Sequence, residues 1–235
     1  LEGVSNVVSA VPSDFDNDGF VDLCILMASD VVLYHNVNGS FEAHIADFPK
    51  RGFRYAVWLD FDHDYDIDLF LLGKESALFR NNGISGFSDL TERFPFVKGE
   101  AVHGTHFDLV ADTQGMDLAV TYADRGGVLY CDRLAGKYEA QDLLALKGQV
   151  VAFDFNHDGW TDLAGADVSG MTLLVNDRAQ GLERVTAPSK ARSPVAFADF
   201  ENRAVVELVA RGVVFRNRGL GVFDSPKTPL DLKSV

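Results

Sequence analysis

Short apolar runs separated by turns make up most of this 235-residue chain. Runs such as "LCILM", "YAVWL" and "QVVAF" have the length of single strands, and no stretch sustains the 3.6-residue period of an amphipathic helix. Gly, Asn and Asp fill the stretches between the runs, as is typical of turns. The pattern predicts an all-β chain without a helix of ordinary length.

The same order of runs returns five times. Each unit contains an acidic stretch that begins with Asp14, Asp60, Asp108, Asp154 or Asp199, and these starts are separated by 46, 48, 46 and 45 residues. Later in the units come "LYHN", "LFRN", "LYCD", "LLVN" and "VFRN", each followed by a Gly-containing turn and a large apolar residue. The chain is therefore a repeat protein, with four short strands in each unit.

A four-stranded unit of this size cannot bury both of its faces alone. Radial stacking around an axis buries the faces between neighbours and gives a β-propeller. Runs such as "LFLL" fit, because the inner strands of a blade are covered on both faces. We predict one propeller domain of five blades with four antiparallel strands each, in which "VVSAV" forms the inner strand of blade 1; the alternative is a fragment of a larger ring, for example a seven-bladed one. The predicted units span residues 1–50, 51–98, 99–146, 147–190 and 191–235.

The charge balance narrows the range of partners. The chain has 21 basic and 35 acidic side chains, for a net charge of −14, which opposes binding to nucleic acid and suits a chain that collects cations. No apolar run reaches the roughly 18 residues that span a bilayer. Cys24 and Cys131 lie in apolar, strand-like segments, so we expect two buried free thiols rather than a disulfide framework.

The acidic stretches are the candidate chemistry of this chain. "DFDNDGFVD" from Asp14 to Asp22 places four carboxylates within nine residues. Two charges about 4 Å apart repel each other by roughly 1 kcal/mol in water and by more in a partly buried site, so a cation would relieve the strain. Oxygen ligands at alternate positions around a glycine turn favour Ca²⁺ over Mg²⁺. The alternative is a set of solvated acidic turns.

The first positions of an EF-hand loop share this spacing, but the rest of that motif is missing. An EF-hand needs Glu at its twelfth position and a helix after the loop. That position holds Ile25, Leu71 or Gly165 here, and the residues that follow are strand-like. We therefore reject the EF-hand.

Taken together, the acidic loop between strands, the "LYxN" segment, the Gly turn and the Phe resemble FG-GAP or VCBS repeats, which include the integrin α-subunit propeller and many bacterial surface proteins. The resemblance covers all five units. It implies that the loop joins the first two strands of a blade and wraps one Ca²⁺. Five ligands are implied by position in each of three loops: Asp14, Asp16, Asp18, Phe20 and Asp22; Asp60, Asp62, Asp64, Asp66 and Asp68; Asp154, Asn156, Asp158, Trp160 and Asp162. Phe20, Asp66 and Trp160 would bind through their backbone carbonyls and the others through their side chains.

Three loops depart from the repeat pattern. In the second, Tyr65 replaces the usual Gly, and we expect the Asp66 side chain to point to solvent. The third keeps only Asp108, Asp112 and Asp117, so we expect no calcium there. In the fifth, Arg203 stands between Asp199 and Glu207, where a guanidinium could supply the charge that a metal supplies elsewhere.

Two classes of function fit these observations. The first is a calcium-stabilised interaction module, adhesion proteins included, that binds protein or glycan through propeller-face loops; the second is a polysaccharide lyase or hydrolase on the same scaffold. We expect an extracellular, periplasmic or cell-surface protein, since extracytoplasmic calcium can saturate sites of modest affinity. We also expect a monomer or a part of a larger multidomain chain.

Few residues outside the acidic loops suggest chemistry. His63 and His157 occupy a variable loop position and are expected to be exposed spacers, whereas His103 and His106 lie on a strand that could line the channel. The segment "FPKRGFRY" is a candidate recognition patch, because its basic side chains interrupt an acidic surface. No catalytic residue and no organic cofactor is predicted.

Overall fold

A computed structural model describes residues 4–44, 47–110, 115–178, 181–200 and 202–224. It contains nineteen strands and two 3₁₀ turns, Gly83–Ser85 and Thr91–Arg93. The strands of the first two sheets are β1 (Val7–Ser13), β2 (Asp22–Met27), β3 (Val31–Val37) and β4 (Ser40–His44), then β5 (Phe53–Leu59), β6 (Asp68–Gly73), β7 (Ala77–Asn81) and β8 (Phe87–Asp89). The strands of the next two are β9 (Ala101–Phe107), β10 (Asp117–Tyr122), β11 (Gly126–Asp132) and β12 (Tyr138–Leu143), then β13 (Gln149–Phe153), β14 (Asp162–Ala166), β15 (Met171–Asp177) and β16 (Gly181–Val185). The fifth sheet contains β17 (Val195–Ala198), β18 (Glu207–Ala210) and β19 (Val213–Phe215).

Each sheet is an antiparallel meander of strands that are consecutive in sequence. The all-β propeller of five blades is confirmed, and β1 contains the predicted "VVSAV" segment. Blade 5 has three strands within the described residues, and an antiparallel bridge between Asn217 and Phe223 occupies the position of its fourth. Each acidic loop joins the first and second strands of its blade.

The core lies between neighbouring blades. Every residue of β6, β10, β11 and β14 is buried, which explains why these strands show no alternation of apolar and polar residues. Buried clusters join blade 1 to 2, 2 to 3, 3 to 4 and 4 to 5. Within the described ranges none of these clusters joins blade 5 to blade 1, so closure of the ring stays a prediction. Cys24 and Cys131 are buried free thiols, as expected.

Candidate metal centre

The first aspartate of each acidic loop caps the turn that follows it. The Asp14 carboxylate accepts the backbone N–H groups of Asp18 at 3.1 Å and Gly19 at 2.9 Å. Asp60 accepts from Asp64 and Tyr65 at 3.2 and 3.1 Å in the same way. Asp154 repeats the pattern with Asp158 and Gly159 at 3.2 and 2.9 Å. The three loops thus share one hydrogen-bond frame.

The backbone of this frame turns through the left-handed region twice, at the fourth and sixth loop positions. The φ angles are 59° and 89° at Asn17 and Gly19, and 61° and 87° at His157 and Gly159. In the second loop Tyr65 adopts φ 73° although it is not glycine, and its side chain is 89% exposed. Tyr65 therefore keeps the common turn, at the cost of backbone strain.

The last aspartate of each loop is buried and ties the loop to the third strand. Asp68 accepts the N–H of Phe61 at 2.7 Å and that of Asn81 at 2.8 Å. Asp22 and Asp162 make the equivalent pairs of bonds. Burial raises the pKa of Asp68 to about 7 and that of Asp162 to about 6, against the opposing effect of these hydrogen bonds. A buried carboxylate with a raised pKa is a site where a cation would be stabilised.

The remaining carboxylates gather in front of this buried group. Oxygens of Asp60, Asp62 and Asp68 lie within 4.8 Å of one another, as do oxygens of Asp14, Asp16 and Asp18. Asp62 Oδ1 is buried and has no hydrogen-bond partner in the part of the chain that the structure describes. An orphaned carboxylate oxygen on a residue of such an aspartate cluster fits a hard cation such as Ca²⁺. These residues therefore fit the metal that the repeat resemblance implies.

Two basic side chains that sequence reasoning did not identify, His35 and Arg80, contact carboxylates of the first two clusters. His35 Nε2 lies 2.8 Å from Asp16 Oδ2 and 3.3 Å from Asp18 Oδ2. Arg80 Nε and Nη2 lie 2.5 Å from Asp62 Oδ2 and Asp64 Oδ2. The signal was the residue before Asn in "LYHN" and "LFRN". Arg80 bonds to the Oδ2 atoms, whereas Asp62 Oδ1 has no hydrogen-bond partner among the described residues.

The residues whose carbonyls are implied as ligands, Phe20, Asp66 and Trp160, differ more in their surroundings. Phe20 is partly exposed, and the guanidinium of Arg178 lies 4.8 Å above the Trp160 ring while donating to the Asp158 carbonyl. The Asp66 side chain, expected to point to solvent, is half-buried and accepts a solvent-exposed hydrogen bond from Asn17 Nδ2 at 3.1 Å. This bond joins the loops of blades 1 and 2, and a single repeat does not reveal it.

The remaining two loops keep parts of the frame. Asp117 accepts from the N–H groups of Leu109 and Asp132, while Asp112 lies outside the described residues. In the fifth loop Asp199 caps Arg203 and Ala204 at 3.0 and 2.8 Å. Arg203 Nη2 donates to the buried Glu207 Oε1 at 2.6 Å, so the guanidinium lies where the sequence predicts it.

In blades 2, 4 and 5 the Asn that ends the "LYxN"-type segment links the blade to the acidic loop of the preceding blade, whereas Asn36 of blade 1 donates to Val21 in its own loop. Asn81 Nδ2 donates to the Phe15 carbonyl at 2.7 Å. Asn176 Nδ2 and Asn217 Nδ2 donate to the carbonyls of Leu109 and Phe155 at 2.7 and 2.8 Å. An ordered acidic loop therefore supports the interface with the next blade.

Blade 3 replaces this Asn by Asp132, which has no amide to donate. Its buried Oδ2 lies 2.6 Å from His63 Nε2 in the loop of blade 2. The expectation that His63 is an exposed spacer was wrong, whereas the equivalent His157 is exposed. "LYCD" in place of "LYHN" was the sequence signal for this exchange.

The other candidate residues of the sequence analysis lie outside the acidic loops. His103 stacks on Tyr55 at 3.8 Å between ring centroids, its Nδ1 accepts the Val150 N–H at 3.4 Å, and burial lowers its pKa to about 4. His106 lines an axial cavity of about 390 Å³.

In "FPKRGFRY" the basic side chains each face a carboxylate: Lys50 and Asp30, Arg51 and Glu75, Arg54 and Glu100.

The five consecutive sheets and their acidic hairpin loops define a β-propeller built from sequence repeats. The FG-GAP-like repeat family matches residues 14–71, which contain the first two acidic loops. Residues 14–71 are thus similar to FG-GAP-like repeats, within a chain that folds as a five-bladed β-propeller. No curated protein sequence matches it.

A solved lectin structure shares the fold. A lectin of Agrocybe aegerita, described as recognising non-reducing terminal N-acetylglucosamine, superposes with a TM-score of 0.64 at 17% identity, covering 93% of this chain and 65% of that one. The present chain therefore spans about two thirds of that lectin's length. A Tc holotoxin pore of Photorhabdus luminescens gives a TM-score of 0.44 at 16% identity, covering 93% of this chain and 11% of that one. No helix among the described residues has the length and apolarity to cross a membrane.

Proposed function

We propose that this chain is a calcium-stabilised, extracytoplasmic binding module that takes glycan ligands on its propeller surface. The observation that carries the calcium part is Asp62: it belongs to a cluster of aspartates, and its buried Oδ1 has no hydrogen-bond partner among the described residues. The shared frame of the first, second and fourth loops extends the proposal to three sites. A protein ligand is the alternative within the same class.

Calcium would act on structure rather than on chemistry. All of the ligands implied for one ion come from one hairpin, so the ion would fix that hairpin and contribute folding free energy. Through the Asn-to-carbonyl bonds it would also fix the loop that the next blade contacts. Each bound ion would stabilise the fold by about 2.7 kcal/mol when free calcium is a hundred times its dissociation constant.

Glycan binding is supported by the lectin with the same fold, whose own ligand is a terminal sugar. At 17% identity the likeness extends to the fold alone, so the ligand is a proposal. A lyase or hydrolase has less support, since His103 is engaged in the blade interface and holds a pKa of about 4. A general base with that pKa would be weak at neutral pH.

Two measurements on purified protein test the proposal. Elemental analysis after dialysis against buffer with millimolar calcium is expected to find bound calcium that a chelator removes. A glycan array in the same buffer is expected to retain the protein on a defined group of glycans. Protein without calcium contradicts the first part, and an array without retained protein contradicts the second. Depolymerisation of polysaccharide would favour the enzyme.

A further inference from the structure

A cleft between blades 2 and 3 has a composition unlike the rest of this acidic chain. It has a volume of about 530 Å³, within the usual range for small-molecule sites. Three cations line it, Arg80, Arg93 and Lys137, against the single carboxylate of Asp62. The cleft between blades 1 and 2, of about 590 Å³, is lined instead by Asp47, Asp89 and His44. A cationic cleft in a chain of net charge −14 requires an explanation.

Two of these cations are available to a ligand. Arg80 is held by Asp62 and Asp64. Arg93 and Lys137 are exposed, and within the described ranges neither lies within ion-pair distance of a carboxylate. The basic side chains of "FPKRGFRY", by contrast, all face carboxylates. The cleft thus presents positive charge that the protein itself leaves uncompensated.

The backbone on both sides of the cleft is fixed. Arg93 precedes Phe94 and Lys137 precedes Tyr138, and these two buried aromatic rings lie 5.1 Å apart in the core between the blades. Gly136 approaches the Phe61 ring so closely that an added Cβ would lie 2.9 Å from it. The two cations therefore sit on supported positions, which lowers the entropic cost of binding.

Neutral polar groups complete the cleft. Asn82 Oδ1 accepts from Arg80 Nη1 at 2.9 Å, and Asn82 Nδ2 donates to Ser88 Oγ at 2.9 Å. Ser88 is exposed and can also bond a ligand hydroxyl. Hydroxyl partners next to two free cations suit a sugar that carries a carboxylate or a sulfate, because arginine and lysine pair with such groups.

We propose that the cleft between blades 2 and 3 binds an acidic sugar residue, with Arg93 and Lys137 pairing with its carboxylate or sulfate. This inference rests on the glycan-binding function proposed above and names its ligand class and site. Binding would weaken as salt increases, since the contacts to the ligand are ionic.

Calorimetric titrations in calcium buffer test this site with three oligosaccharides of matched length: an oligogalacturonate, a sulfated heparin fragment and a neutral chito-oligosaccharide. We expect binding of at least one acidic probe and weaker binding of the neutral one. Arg93→Ala and Lys137→Ala are each expected to weaken that binding at least fivefold, and Lys137→Glu to abolish it, without changing the melting temperature. Lys74→Ala, at an exposed lysine outside the cleft, is the matched control and should leave affinity unchanged.

The outcomes separate the cleft from the general function. Glycan binding that is unaffected by Arg93→Ala and Lys137→Ala would overturn the cleft and leave the binding module intact. Tighter binding of the neutral probe would also overturn it. If neither the array nor any of the three probes shows binding, the glycan function itself fails, and this inference fails with it.

Discussion

The acidic loops of blades 4 and 5 share their capping hydrogen bonds and their left-handed turn residues. They differ in the charge of one residue, which is Asp158 in blade 4 and Arg203 in blade 5. Asp154 and Asp199 cap the turn with the same pair of hydrogen bonds. In blade 5 Asn202 and Ala204 adopt φ 50° and 56°, in the left-handed region that the fourth and sixth positions of loop 4 also use. Asp158 of blade 4 is replaced by Arg203, whose guanidinium binds Glu207. The loop is therefore shaped by its first and last carboxylates; the positive charge between them is a side chain in blade 5 and, as we propose, an ion in blade 4.

The largest expected effect comes from Arg203→Ala. Glu207 is 1% exposed, and removing Arg203 leaves its buried carboxylate without an ion-pair partner, with the Phe200 N–H still donating to Oε2. Breaking such pairs costs about 3 to 5 kcal/mol, and since Arg203 is 40% exposed we expect about 2 to 3 kcal/mol. The loss in free energy of unfolding, measured by denaturant titration, should be the same in calcium and in chelator. Arg133→Ala, which breaks the exposed pair with Glu139, is the control and should cost less than about 1 kcal/mol; equal losses would mean that Arg203 has no special role.

Asp158→Asn tests the opposite behaviour in blade 4. Asparagine keeps an oxygen for the Trp160 N–H, which Asp158 Oδ1 accepts at 2.9 Å; it removes the charge and the exposed bond that Asp158 Oδ2 accepts from Asn156 Nδ2 at 3.1 Å. We expect a loss of up to about 2.7 kcal/mol in calcium at a hundred times the dissociation constant, and a much smaller loss in chelator. Asp158→Arg should convert loop 4 to the blade 5 type, with stability that no longer depends on calcium at this loop. A loss that is equal in both buffers for Asp158→Asn would identify the loop as a plain turn.

The pH dependence of the metal-free protein gives a third test. Burial raises the folded-state pKa of Asp162 to about 6 from 3.8. Because the folded value is the higher one, its contribution to stability is fully present below pH 3.8 and is lost as pH rises through about 6. In chelator, the free energy of unfolding is therefore expected to increase as the pH is lowered from 7 to 5. This group contributes at most about 1.4 kcal/mol per pH unit to that increase.

Two comparisons isolate that contribution. Asp162→Asn should reduce the increase, since the variant has no carboxylate to protonate. Saturating calcium should reduce it as well, because a bound ion keeps the carboxylate ionised. An increase of the same size in the variant would assign the effect to other groups.

The smallest expected effects come from exchanging the sixth loop residues. Gly159 has φ 87° and open space around its Cβ position, so Gly159→Ala should cost about 1 kcal/mol through backbone strain alone. Ala204→Gly relieves the same strain but makes the unfolded chain more flexible, so we expect a change below about 0.5 kcal/mol. Thermal melts of both variants in chelator measure these two changes in stability. A cost for Ala204→Gly as large as that for Gly159→Ala would show that the two turns are not equivalent.

Sequence reasoning was strongest where one unit could be compared with the others. Five spaced copies of one pattern predicted the blades, and Arg203 stood out because the other loops have Asp or Asn nearby. Contacts between units were not visible in this way. The Asp66 bond to Asn17, and the His63 bond to Asp132, each join residues of different repeats. Arg93 and Lys137 converge only because blades 2 and 3 pack side by side, so the cationic cleft also required the three-dimensional arrangement.

The most direct test of the account is a thermal melt of the intact protein across free calcium concentrations from micromolar to millimolar. Three ions at about 2.7 kcal/mol each would match the whole stability of an ordinary domain, which is about 5 to 15 kcal/mol. The account predicts that the melting temperature rises steeply with calcium, rises less with magnesium and falls on addition of chelator. A melting temperature that is the same in calcium, magnesium and chelator would contradict it, and would leave the loops as acidic turns.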